Sequence, residues 1–255
     1  MYISSENQSA LQSSYAQLSS GKRINSAADD ASGFAISEKL GAQVTGLEVG
    51  TKNALDMQGL LNTAEGGLSN INDSLLRIRE LAVYAQNGIL TDSDKKLLQY
   101  EADQLLEGIK NAAQYTQFNR INVLDGNFVD KNLASNPNGT GMKINIENAT
   151  LPALGLDNLD ITKLGGDAIK AIDNALDMVN DARAKIGAQS NAIDYVVSAN
   201  ETSYLNMMQA KSRIEDADMA KAVMDMNIAK VLEQVQMFSI KNQMENMRQK
   251  NMFLL

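Results

Sequence analysis

The sequence predicts a mainly α protein: a long antiparallel helical bundle or coiled coil, interrupted by one small β-hairpin region. Composition is the first reason. The 255 residues include 5% aromatics, no Trp and only 2 Pro, and the abundant Ala, Leu, Met, Gln and Lys lose little rotamer freedom in a helix. Periodicity is the second. Apolar or small residues from Met57 onward fall at 57, 61, 64, 68, 71, 75, 78, 82 and 85, an alternation of four and three that draws the 3.5-residue seam of helices packed lengthwise. The third is a change of period between Asn119 and Gly166, where Asn, Gly and both prolines concentrate.

The elements follow in order. Gln8 to Ser20 is weakly amphipathic, with Leu11, Tyr15 and Leu18 on one side. Leu40, Val44, Leu47, Thr51 and Ala54 keep the seam's rhythm with one slip before Met57, so a single helix is predicted over about 35–86. Gly66 and Gly67 lie inside it at ~1 kcal/mol each relative to Ala, and mark a close helix crossing. Asn87-Gly88 is expected to stop the helix with a left-handed cap. "TDSDKK" then starts a second helix over about 94–118, with Thr91 or Ser93 as N-cap and Asp92 or Asp94 in the first turn. Its seam is Leu98, Ala102, Leu105, Ile109, Ala112 and Thr116, and the short connection makes it antiparallel to the first. "GTGMKINIENAT" alternates Met142, Ile144 and Ile146 with polar residues after Asn138-Gly139, which marks a hairpin within about 119–166. Heptads return with Ile169, Ile172, Leu176, Val179, Ile186, Ile193, Val197, Tyr204 and Met207, broken at Arg183 and Ser190, and predict a third long helix over about 167–210. Met224, Ile228, Val231, Val235 and Phe238 draw a fourth amphipathic run.

Several chemistries are excluded or disfavoured. The chain has no His and no Cys, which removes the commonest general base, the thiol nucleophile, the usual zinc ligands and any disulfide. No catalytic, cofactor or metal residue is assigned. The stretch "LSSGKRINSAADDASGFAISEKL" invites comparison with a phosphate loop, but Ala16 and Arg23 stand where that loop needs a glycine and a hydroxyl. Asp29 and Asp30 point in different directions along a helix and lack a third oxygen ligand nearby, so they do not read as a cation site. The net charge of −8 is interspersed along the chain, which disfavours nucleic acid as a partner. No stretch approaches 18 consecutive apolar residues, so no membrane association is expected. "MYISSENQSAL" has no basic or apolar leader region, and export is expected to use a machine that does not read a cleavable signal.

Neither terminal segment has the apolar area to fold alone, because isolated short helices are marginal in water. Each end therefore needs a partner, and burial between copies of the chain satisfies both, with a non-closing interface generating a helix of subunits. The terminal methionines read as packing, in preference to oxidation sensors or a calmodulin-like groove. "DSLLRIRELAVYAQNG" presents Arg77, Arg79 and Glu80 outside its seam, as a solvated face.

The stretch Leu18 to Leu40 closely resembles the N-terminal signature of bacterial flagellin. Further matches lie at "LLRIRELAVYAQNG", at "YTQFNRINVLDG" (Tyr115 to Gly126), at "LPALGLD" (Leu151 to Asp157) and at "SRIEDADMAK" (Ser212 to Lys221), with "FLL" ending the chain. The resemblance implies a structural, non-enzymatic subunit of the extracellular flagellar filament that self-assembles and serves motility. A hook-filament junction protein, built from similar ends, is the alternative. It implies a filament-core domain of paired terminal helices, about 1–31 with 215–255, and a rod domain over 32–214 without the variable outer domains of longer relatives. Aligned on "SAL" and "LSSG", the chain starts later than family members usually do, which implies that part of the first core helix is missing.

By the same resemblance, Lys22, Arg23, Asp29 and Asp30 belong to the spoke joining core to rod. Met224, Ile228, Val231, Val235, Phe238, Leu254 and Leu255 serve self-assembly and an export chaperone. The further partners implied are the flagellar type III export apparatus and the filament cap and junction proteins. The flagellin-sensing Toll-like receptor would meet Leu76, Arg77, Ile78, Arg79, Glu80, Leu81, Ala82 and Val83, with Arg77 and Leu81 as anchors. Counting back from "TQFN" places Gly108 where strongly stimulating relatives carry a glutamate, so weaker receptor signalling is expected.

Overall fold

The computed structural model describes residues 2–163 and 166–252. Five of its helices are long: α1 (Tyr2–Ser20), α2 (Ala31–Ala85), α3 (Asp92–Tyr115), α5 (Asp167–Glu215) and α6 (Met219–Met252). Between α3 and α5 lie two antiparallel strand pairs, β1 (Gln117–Phe118) with β2 (Ile121–Asn122) and β3 (Lys131–Ala134) with β4 (Gly141–Ile144), and the single turn α4 (Leu151–Leu154). The chain forms two compact units, one of residues 1–44 with 204–255 and one of 45–203. These units part inside α2 and α5, and not near 31 and 215.

The unit of residues 45–203 holds the core. Leu61, Ala64, Leu68, Ile71, Leu75, Ile78, Ala82 and Ala85 of α2 are all 0% exposed, so the 3.5-residue seam faces inward along its length. Ion pairs fix the directions of the helices around it. Arg79 reaches Asp173 at 2.6 Å and Arg183 reaches Glu65 at 2.8 Å, while Gln58 donates to Asp194 at 2.8 Å, so α5 runs antiparallel to α2. The break in the α5 heptads at Arg183 is therefore filled by a cation with its own carboxylate. Arg77 meets Glu101 at 2.7 Å, and Gly67 lies against Thr116 just past the end of α3, which makes α3 antiparallel as well. The buried line of α3 is Ala102, Leu106, Ile109 and Ala113, with Leu98, Leu105 and Ala112 only half-buried. A helix packed on two neighbours presents a wider stripe than a two-helix seam.

Helix ends depart from the sequence expectation in two places. Neither Asn87 nor Gly88 adopts a left-handed conformation. Instead Gln86 N–H bonds Val83 O at 3.2 Å and Asn87 N–H bonds Tyr84 O at 3.0 Å, so α2 closes by tightening its last turn. The second helix begins on Thr91, whose hydroxyl accepts from Asp94 N–H at 3.2 Å while Asp94 accepts from Thr91 N–H at 3.0 Å, a reciprocal capping box. It ends at Tyr115 and not near 118, because Asn119 and Arg120 take φ of 49° and 65°. Two successive positive φ values make the tight turn that joins β1 to β2, and the chain must already be extended at Gln117. Gly67 marks no helix crossing. A Cβ there would stand 2.7 Å from Leu124 Cδ1 and from Thr116 Oγ1, so it makes room for the turn after α3.

The β3–β4 hairpin pairs Lys131 with Ile144 and Ala134 with Gly141. Its tip rests on α2 and α5, where Asn53 donates to Ala134 O at 2.9 Å and buried Asn200 donates to Ser135 O at 2.8 Å. Gly50 permits this approach, because a Cβ there would lie 2.7 Å from the carbonyl carbon of Ser135. Alanine in a helix is ordinarily worth ~1 kcal/mol over glycine, but a clash with backbone that is held from both sides outweighs it. Gly50→Ala is expected to cost about 1–3 kcal/mol by overpacking. Gly66→Ala, with nothing within 4 Å of the added methyl, is expected to stabilise by about 0.5–1 kcal/mol. Urea unfolding followed by circular dichroism checks both signs.

Candidate assembly interface

The unit of residues 1–44 with 204–255 contains both chain ends. In it α1 and α6 pack side by side. Asn7 Nδ2 donates to Ala229 O at 3.1 Å, and at the other end of α1 Ala217 N–H bonds Gly21 O at 2.9 Å, so the two helices are antiparallel. Lys230 Nζ sits 5.4 Å from the centre of the Tyr15 ring. What the pairing buries is small: among the described residues of the two helices, Ser14, Ala222 and Ala229 are buried.

Large side chains stay outside. Met224, Ile228, Val231, Val235 and Phe238, the predicted run, are 58%, 59%, 58%, 59% and 66% exposed. Leu232, Met237, Ile240, Met244 and Met247 are also exposed, and they point to other sides of the helix. The expectation of one amphipathic stripe is therefore corrected: large apolar side chains are spread around α6 among polar and charged ones such as Lys221, Asp225, Glu233 and Lys241, while its buried contact with α1 uses alanines. So many large apolar side chains left in water on one helix mark a surface that meets a partner. Among the described residues no helix is long and apolar enough to cross a membrane. Leu254 and Leu255 lie outside the described residues.

The connections between these helices form a clamp. Gly21, at φ 71°, ends α1 with a left-handed cap. Lys22 then forms an antiparallel bridge with Asp216, and Arg23 N–H bonds Glu215 O at 2.6 Å. Lys22 Nζ pairs with the Glu215 carboxylate, which also accepts from Ser37 Oγ at 2.5 Å and has Lys211 Nζ at 3.6 Å. Arg23 Nη2 donates to Ile214 O at 2.5 Å. The acidic pair does different work. Asp29 accepts from the backbone N–H groups of Asn25 and Ser26 at 2.9 and 2.8 Å, and Asp30 accepts from Gly33 N–H at 2.9 Å as the cap of α2. Lys22 and Arg23 thus meet the end of α5, while Asp29 and Asp30 shape the loop.

Glu215 was not singled out by sequence reasoning, although a signal existed. A carboxylate closing a helix faces the negative end of the dipole and requires a cation. Its Lys22 hydrogen bond, then that of Ser37, holds the Glu215 carboxyl below the usual glutamate range. The Glu215 contact in turn raises Lys22. A carboxylate favoured by folding adds stability above its unfolded value, ~4.3, and loses it as pH falls through the lower folded value. The raised Lys22 stays charged throughout that acid window, so the loss belongs to Glu215. Hydrogen exchange of α1 and α6 amides, corrected for intrinsic rates, is expected to accelerate on acidification below that range in the native chain and less so in Glu215→Gln, where Asp29, held low by the Ser26 and Asn25 N–H groups, still contributes.

The stretch Leu76 to Val83 divides. Ile78, Leu81 and Ala82 are buried in the helical core, whereas Leu76 and Val83 are 46% and 50% exposed. Leu81, 4% exposed, is therefore no surface anchor, because the buried stripe of α2 is wider than the 78–82 seam and takes in the position beside it. Arg77 pairs with Glu80 and Glu101, and Arg79 with Asp173. Gly108 lies exposed on α3 with open space around it.

Residues 2–129 match the family model described as the bacterial flagellin N-terminal helical region, and residues 169–255 match the bacterial flagellin C-terminal helical region. The chain belongs to the bacterial flagellins. This flagellin is 37% identical over 229 residues to the flagellar filament core protein flaB2 of Brachyspira hyodysenteriae, covering 83% of this chain and 80% of that one. It is 36% identical over 267 residues to the flagellin of Bacillus subtilis strain 168, covering 90% and 88%. A solved structure from Vibrio parahaemolyticus described as a flagellar hook-associated protein superposes with a TM-score of 0.60 at 18% identity, over 74% of this chain and 100% of that one. At that identity the likeness speaks for the fold alone. Flagellins are structural proteins, and this one is not an enzyme.

Proposed function

We propose that this flagellin is a structural subunit of the extracellular flagellar filament and polymerises by burying the exposed apolar side chains of α1 and α6 between copies. One observation carries the reading: from Met219 to Met247 every large apolar side chain except Met226 is at least 40% exposed. Full burial of one such side chain is worth about 1.5–3 kcal/mol, so the surface is far larger than a free monomer needs and matches a helical stack of subunits. Identity of 34–37% to flagellins and filament core proteins favours the filament over a junction collar. Electron microscopy after seeding with filament fragments tests this. Long filaments support it, and a short cap or collar would assign the chain to the junction instead.

Before assembly the same exposed face of α6, from Met224 to Phe238, offers a docking surface to an export chaperone, ahead of passage through the flagellar type III apparatus. The finished filament would meet cap and junction proteins. For the flagellin-sensing Toll-like receptor the available contacts are Leu76, Arg77, Glu80 and Val83, which share the exposed side of α2. Signalling is expected to be weak and to rise in Gly108→Glu. A reporter-cell titration in which the variant gains nothing would remove the second contact from this account.

A further inference from the structure

The methionines of α6 carry chemistry that the assembly surface alone does not explain. Met224, Met237, Met244 and Met247 are 58%, 59%, 58% and 59% exposed, ahead of Met219 at 46% and of Met178 and Met208 at 42% on α5, whereas Met57 and Met142 are half-buried against the helical core. The chain has no Cys, so no thiol competes for oxidant. The four thioethers are not grouped on one polar edge. Met224 shares a stripe with exposed Ile228 and Val231, and Met237 lines a shallow groove with Ile240, Leu11 and Asn7. Each sulfur is open in the free chain and has apolar neighbours that must be covered in a polymer.

We propose that these methionines are oxidation sites whose sulfoxides block polymerisation, and that polymerisation in turn shields them from oxidant. This rests on the assembly surface argued above. The oxidant is hydrogen peroxide: a sulfur lone pair attacks one peroxide oxygen, the O–O bond breaks as the S–O bond forms, and a proton transfer to the departing hydroxide releases water. Sulfur loses two electrons and the peroxide gains them. The product is a polar sulfoxide whose oxygen is a strong acceptor. Covered by apolar side chains such as Ile228 and Val231 beside Met224, it finds no donor and burial leaves it unsatisfied, whereas the amides of Asn7, Gln8 and Gln236 beside Met237 soften the penalty there. Each sulfoxide buried this way is expected to raise the free-subunit concentration at which growth stops by roughly tenfold.

The test uses the purified full chain. One portion is untreated, one is treated with hydrogen peroxide and mapped by peptide mass spectrometry, and one is treated and then restored with methionine sulfoxide reductases. All are seeded with filament fragments, and grown filaments receive the same peroxide dose. Growth of the untreated and restored portions with arrest of the oxidised one is expected, as is at least tenfold slower oxidation of Met224, Met237, Met244 and Met247 in filaments. The M224L/M237L/M244L/M247L variant is expected to grow after peroxide; if it fails to grow untreated, the reductase arm decides. Equal growth of oxidised and untreated chain, or equal oxidation in filament and free chain, overturns the proposal. No growth of the untreated chain would instead defeat the assembly reading on which it rests.

Discussion

Val231→Asp combined with Val235→Asp is expected to abolish seeded filament growth while leaving the urea midpoint of the isolated chain unchanged. Both valines are more than half exposed, at 58% and 59%, so the free chain solvates the new carboxylates at little cost, within about 0.5 kcal/mol for surface positions. Polymerisation would have to strip that water away. An unpaired buried carboxylate costs several kcal/mol after relaxation, and each 1.4 kcal/mol is a tenfold change in affinity. Two such groups per subunit place the concentration needed for growth at least ~1000-fold higher. Light scattering and electron microscopy after seeding report the outcome. Normal growth of the variant would mean that α6 stays at the filament's wet surface, and the proposed interface would have to be abandoned.

Leu75→Ala is expected to destabilise the unit of residues 45–203 by about 3–4 kcal/mol, whereas Leu76→Ala costs under about 1 kcal/mol. Leu75 is 0% exposed inside the helical core, so its truncation removes transfer energy and leaves a cavity that the close-packed neighbours fill only in part. Leu76 is 46% exposed and loses little on truncation. Chemical denaturation followed at 222 nm separates the two. Equal losses would show that the heptad seam does not face the core. The exposed ion pairs around it are not expected to matter on this scale, because pairs such as Arg77–Glu80, at 50% and 68% side-chain exposure, are screened by solvent.

Much of this was legible in the residues because it is local. The α2 seam at 61, 64, 68, 71, 75, 78, 82 and 85 is buried as its period requires, and the Thr91 cap lies in four consecutive residues. The alternation of Met142 and Ile144 marks β4 for the same reason. Sequence spacing misplaced the end of α3, because the turn at Asn119 and Arg120 depends on positive φ values that neither residue type announces as strongly as glycine. The family resemblance placed Leu81 among the receptor contacts, whereas the core takes in that residue beside the seam.

The chain by itself determined where apolar side chains recur, which residues cap helices, and, with no His or Cys, which chemistries are absent. Only the tertiary structure decided what those side chains meet. Glu215 finds Ser37 across 178 residues and Arg23 reaches Ile214 across 191, and α6 spends its alanines on α1 while its large side chains face outward. Local pattern is written within a turn or two of helix, whereas partners that far apart are selected by how the returning chain packs.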